Sequence, residues 1–93
     1  MKRWTQIFKV LANYSRLKIL ELLSDGEPRS VSDISREIHV TFRGTSRHLN
    51  ILYAHDLVTN DGHSGHVFYA INRKMPADTR RAVELLIWLP KSN

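Results

Sequence analysis

The sequence predicts a mainly α fold carrying one β-hairpin, in the order helix, helix, short strand, helix, helix, strand, strand, helix. Three observations carry that expectation. Apolar residues recur at helical spacing in separate runs. Two short helices, each opened by a capping hydroxyl, are joined only by His39-Val40-Thr41, the spacing of a helix-turn-helix. A glycine-bounded tip, Gly62-His63-Ser64-Gly65, separates two runs of strand character and marks a hairpin.

Taken in order, Trp4, Ile7, Phe8 and Leu11 keep an i, i+3, i+4, i+7 spacing, which predicts an amphipathic helix over 3–12. Asn13 ends it and caps the next helix, Tyr14 to Leu23, whose Leu17, Ile19, Leu20, Leu22 and Leu23 make it the core helix. Ser24-Asp25-Gly26 closes that helix with a glycine. Glu27-Pro28-Arg29 is a short extended connector, because proline excludes helix and biases its neighbour toward extended geometry. Ser30 and Asp33 form a capping box ahead of a third helix that buries Ile34 and Ile38, and Thr41 caps the fourth. Leu57 to Asp61 alternates weakly; Val67 to Ile71 is rich in β-branched and aromatic residues. Arg73-Lys74-Met75-Pro76 breaks the chain before a last helix from Ala77 to Leu89, which Pro90 stops.

Ninety-three residues suit one domain, taken as 1–93, with a modest core that makes self-association attractive as extra burial. The formal charge of +5, from 14 Lys and Arg against 9 Asp and Glu, favours a polyanionic partner. With no cysteine there is no disulfide, thiolate metal site or cysteine nucleophile, which points to an intracellular, cytoplasmic protein. The first residues lack the apolar run of a secretory signal. The greasy stretch Ala82 to Leu89 is far shorter than the ~20 residues of a membrane-spanning helix.

At about 100° per residue, Arg43, Ser46, Arg47 and Asn50 fall on one face of the fourth helix and Thr45, Leu49 and Leu52 on the other. No acid lies between Ile38 and His55. A helix entering the DNA major groove needs this combination: side chains that hydrogen-bond base edges, flanked by cations for phosphates. An ordinary solvated helix face has the same polarity.

Helix, helix, helix-turn-helix and hairpin is a winged-helix arrangement, and its segments resemble those of a known family. Leu11-Ala12-Asn13-Tyr14-Ser15-Arg16-Leu17-Lys18-Ile19-Leu20-Glu21-Leu22-Leu23 resembles the opening motif of the ArsR-type repressors. Ser46-Arg47-His48-Leu49-Asn50-Ile51-Leu52 resembles their recognition-helix motif, and Val67-Phe68-Tyr69 the end of their wing. The likeness spans about residues 8–72. It implies a homodimeric, winged helix-turn-helix transcriptional regulator whose first and last helices, 3–12 and 77–89, form the dimer interface. Trp4, Ile7, Phe8, Leu11, Leu85, Leu86, Trp88 and Leu89 supply apolar surface for that role, more than a monomer of this size easily hides; the alternative is that the two helices cap the monomer core. A two-fold dimer reads half-sites ~34–36 Å apart in a pseudo-palindromic operator.

The chain also departs from the family. Where many members carry a metal-sensing cysteine pair at the start of the third helix, this sequence has Ser30 and Ser32. Hydroxyls do not replace thiolates for soft metals. The last helix offers Asp78 and Glu84 but no histidine, beside Arg80 and Arg81, so no metal and no cofactor is expected. Compact regulators without a sensor site resemble those of archaeal viruses and plasmids, which would place this one in a host cytoplasm.

His39, His48 and His55 read as ordinary surface or interface residues, with His48 and His55 two turns apart. His63 and His66 flank the wing tip, where the family usually carries Arg or Lys, so wing affinity for DNA is expected to rise as these imidazoles protonate. Gly44 reflects either close approach to a sugar-phosphate backbone or an undemanding first turn. Phe42 either meets thymine methyls or packs under the third helix.

The expected contacts to double-stranded DNA come from Thr41, Phe42, Arg43, Thr45, Ser46, Arg47 and Asn50 on the helix, with His63, Ser64 and His66 on the wing. The activity expected is sequence-specific DNA binding by a homodimeric regulator, more specifically a repressor. The alternative is a winged-helix interaction module binding an acidic partner in a transcription complex. No nucleophile elbow, phosphate loop or carboxylate pair points to an enzyme.

Overall fold

The computed structural model describes residues 2–88, and it has the predicted mainly α architecture with a hairpin. Helices α1 (Lys2–Leu11) and α2 (Tyr14–Leu23) lead to a two-residue strand β1 (Arg29–Ser30). Helices α3 (Val31–Ile38) and α4 (Phe42–Ala54) follow, then β2 (Val58–His63), β3 (His66–Ile71) and α5 (Ala77–Val83).

Each helix start expected from a short polar side chain is capped by that side chain. Asn13 Oδ1 accepts from the Arg16 amide at 3.1 Å, Ser30 Oγ from the Asp33 amide at 3.1 Å and Thr41 Oγ1 from the Gly44 amide at 3.0 Å. α3 stops at His39, which takes a left-handed backbone with φ 58°, and three residues later α4 begins. That single reversal, rather than a glycine, makes the tight turn between the two helices.

The sheet is antiparallel with β3 in the middle, in the order β1-β3-β2. Tyr69 pairs with Arg29 on one side and Asn60 on the other. The hairpin closes at the His63–His66 pair through Ser64 and Gly65, both at positive φ, 51° and 79°, as a two-residue turn of matching twist requires. The strand joined to the front of α3 therefore also braces the hairpin.

One core gathers Ile19, Leu20 and Leu23 of α2, Ile34 of α3, Leu49 and Leu52 of α4, Val58 and Ile71 of the sheet and Val83 of α5. Two expectations change here. Ile7 and Leu11, read as interface residues, are buried in this core, because α1 packs its inner stripe on its own chain and leaves Trp4 and Phe8 outside. The last helix is not uniform: after Val83 it widens into a π-helical stretch over Glu84–Trp88 that leaves Leu85 and Leu86 exposed. Leu89 and Pro90 lie outside the described residues, as does the side chain of Trp88.

Candidate nucleic-acid interface

α4 is two-sided. Thr45, Leu49 and Leu52 are buried, and Arg43, Arg47 and Asn50 are exposed on the opposite face with Ser46 half-buried between them. Arg43, Ser46, Arg47, Asn50 and Phe42 line one shallow groove. Among the described residues neither Arg43 nor Arg47 has a salt-bridge partner, whereas Arg3 pairs with Asp78 at 2.5 Å, Arg29 with Asp25 at 2.8 Å and Arg36 with Asp33. The two cations on this face are uncompensated by any nearby acid, as an anion-binding surface requires.

One residue expected among the DNA contacts does not reach this face. Thr45 is 0% exposed, on the inner stripe of α4, so it cannot meet DNA. Its hydroxyl donates to the Val40 carbonyl at 3.5 Å, which lets a polar residue sit in the core.

The structure also resolves the two ambiguous positions at the start of α4. A Cβ on Gly44 would stand 3.0 Å from Val40 Cγ1 and 3.1 Å from the capping Thr41 Oγ1, so the glycine leaves room for the cap and the turn. Phe42 is 58% exposed rather than packed under α3. It stands on the rim of a cleft of about 300 Å³ that runs between the start of α3, α4 and the wing and that Ser30, Ser32, Ser46, His66 and Val67 also line.

Three further side chains fix how α4 is held, and sequence reasoning singled out only His48. Tyr69, 4% exposed on the middle strand, donates its hydroxyl to Asn50 Oδ1 at 3.4 Å. Arg16 donates from Nε to the Val10 carbonyl at 2.6 Å and from Nη2 to the Lys9 carbonyl at 3.3 Å. Its Nη1 lies 3.4 Å from His48 Nδ1, so one guanidinium joins the end of α1 to α4. Partial burial, and then the charges of Arg16 and Arg47, push the His48 imidazole below its ordinary pKa and favour the neutral ring that accepts from Arg16. The signal for Tyr69 was a tyrosine on the inward face of a strand, whose hydroxyl has to find a partner.

On the wing, His63, Ser64 and His66 are all exposed. His63 Nε2 lies 3.2 Å from Asp61 Oδ2, and both imidazoles stand edge-on to Phe68 with ring centroids 6.5 Å away. His55 instead donates from Nδ1 to the Ile51 carbonyl of its own helix at 2.9 Å. Among the described residues no three of His, Asp and Glu gather as metal ligands would. Ser30 is occupied as a helix cap, and Asp78 is held by Arg3, whose hydrogen bond pulls its carboxyl below the usual range.

Away from this face, α1 lies against α5, tied by Arg3 to Asp78 and, at 3.2 Å, to Thr79 Oγ1. Trp4 and Phe8 stack at 5.6 Å and remain exposed together with Leu85 and Leu86.

Residues 13–60 match the model of the bacterial regulatory proteins of the arsR family. The chain is 27% identical over 73 residues to the transcriptional repressor SdpR of Bacillus subtilis, covering 78% of this chain and 80% of that protein. Among solved structures it is similar to HlyU from Vibrio cholerae, with a TM-score of 0.76, 28% identity and coverage of 91% of this chain and 88% of that one. It is also similar to the homodimeric winged helix-turn-helix DNA-binding domain Mb0332 from Mycobacterium bovis, with a TM-score of 0.75, 28% identity and coverage of 91% and 75%.

Proposed function

The chain belongs to the arsR family of bacterial regulatory proteins, and on that premise we propose that it binds duplex DNA sequence-specifically as a homodimer and represses transcription by occupying an operator. The family is one of transcription regulators, not enzymes. The observation that carries the sequence-specific reading is the outer face of α4, where unpaired Arg43 and Arg47 stand beside Ser46 and Asn50 on a helix anchored by its buried opposite stripe. Arginines contact phosphate or guanine edges, and the serine and asparagine add hydrogen bonds to bases or backbone. Thr41 and Phe42 lie at the entering end of the helix, and His63, Ser64 and His66 reach the flank of the site from the wing.

The dimer reading rests on the exposed Trp4, Phe8, Leu85 and Leu86 of the paired α1 and the chain's last helical segment, and on the homodimeric state of the similar Mb0332 domain. Repression follows the similar SdpR. With Ser30 and Ser32 where many family members carry a cysteine pair, these residues offer no thiolates for a soft metal.

Selection from a random duplex pool tests the whole reading. A pseudo-palindromic consensus with half-sites one helical turn apart is expected, and binding to it falls steeply with salt as counterions are released. Enrichment of no sequence, or binding indifferent to salt, overturns the reading in favour of a protein-interaction module.

A further inference from the structure

We propose that Tyr69 is a positioning residue for Asn50, and that through it α4 reads a hydrogen-bond acceptor on the base edge that Asn50 faces. The inference rests on the reading of α4 as the groove-facing helix. An asparagine amide carries an acceptor at one end and two donors at the other, and its terminal torsion is soft, so an exposed asparagine can offer either. Asn50 is exposed, yet its Oδ1 takes the hydroxyl of Tyr69 at 3.4 Å.

Tyr69 is a fixed point. It sits on the central strand, paired by register to Arg29 on β1 and Asn60 on β2, and its ring is buried. Turning the Asn50 amide over would let the phenol oxygen accept from Nδ2 but would leave the O–H of this 4% exposed tyrosine without the acceptor it has. With Oδ1 engaged by Tyr69, Nδ2 and its two hydrogens are the polar end left for a ligand, and Asn50 lines the groove with Ser46 and Arg47.

Bases differ at the edge such a donor meets. In the major groove adenine and guanine present the N7 acceptor, guanine adds O6, and thymine presents O4, whereas cytosine presents only its N4 donor. An amide held donor-outward therefore accepts purines or thymine on the strand it faces and rejects cytosine. A freely turning asparagine would accommodate cytosine by offering Oδ1 to N4. Tyr69 thus restricts recognition without touching DNA.

The test is selection from a random duplex pool by the wild type, Tyr69→Phe, Asn50→Ala and the double variant, each first shown to be folded by thermal unfolding. The wild type is expected to deplete cytosine at one position of each half-site. Tyr69→Phe is expected to relax that depletion about fivefold, the worth of one ordinary hydrogen bond, with the rest of the consensus and the salt dependence unchanged. In the Asn50→Ala background the same change is expected to have no effect. The proposal is overturned if Tyr69→Phe leaves cytosine as depleted as before, weakens all sequences equally, or still acts when Asn50 is gone. A wild type that enriches no consensus overturns the DNA reading and this inference with it; a consensus that Tyr69→Phe does not alter overturns the inference alone.

Discussion

The fourth helix and the wing flank one cleft, but they are anchored and charged differently. α4 holds its outer arginines on a helix whose inner stripe is sealed in the core, while the hairpin from Thr59 to Val67 is exposed at every residue. The helix carries permanent cations and the wing carries imidazoles, one of them beside a carboxylate. Histidine also appears on α4, at His48, but there it sits between Arg16 and Arg47 and is favoured in its neutral form. The comparison teaches that the helix offers permanent charge from an element anchored in the core, and that the wing offers neither the anchor nor the permanent charge.

The largest contrast is in anchoring. Leu49→Ala is expected to lose about 2–5 kcal/mol of stability, whereas Val67→Ala on the exposed wing loses less than about 0.5. Urea unfolding of both measures it, and equal losses would erase the distinction. In binding, Arg47→Ala is expected to weaken operator affinity by ~1–3 kcal/mol if it reads a guanine. If it touches phosphate alone, all sequences weaken alike and the salt slope falls by about 1. Replacing both His63 and His66 by alanine is expected to change affinity less than Arg47→Ala does, because only the arginine is a permanent cation on an anchored element. Fluorescence anisotropy with labelled duplexes compares the two.

Removing the Thr41 cap as Thr41→Ala is expected to cost about 1 kcal/mol, read as a lowered unfolding midpoint. Acid then tests the setting of His48. His48 has a folded pKa below its ordinary value, so the unfolded chain binds the proton more readily, and stability is lost as pH falls below about 6.5. His48→Gln is expected to flatten that loss in melts from pH 8 to 5.5. The smallest effect is Gly44→Ala: the roughly 1 kcal/mol that alanine offers a helix is offset by crowding against Val40 and Thr41, leaving a net change under about 0.5 kcal/mol.

The local rules of the chain were readable because each has a residue of its own. Asn13, Ser30 and Thr41 cap the helices they precede, and three residues separate α3 from α4. Depth was less readable. Periodicity assigns a side to a residue but not how far it is covered, so Ile7 and Leu11 looked like Trp4 and Phe8 until α5 was packed against them. Periodicity put Thr45 on the inner stripe, against its place among the expected DNA contacts, and burial upholds the periodicity; its partner, the Val40 carbonyl, exists only once the turn is formed. The π-helical ending falls in an apolar stretch whose pattern marks no break. Tyr69 and Arg16 act on α4 from far along the chain, and no spacing rule links positions 19 or 32 residues apart.

Arg16 is a three-point joint: two carbonyls at the end of α1 and one imidazole on α4 converge on a single planar group. Planarity is what the position uses. A lysine there would keep the charge and three hydrogens, but on one nitrogen, which cannot span partners that now meet three separate nitrogens of a planar fork. The tie that Arg16 makes from α2 between the end of α1 and α4 is thus a matter of shape more than of electrostatics, and a chain that kept every charge could still lose it.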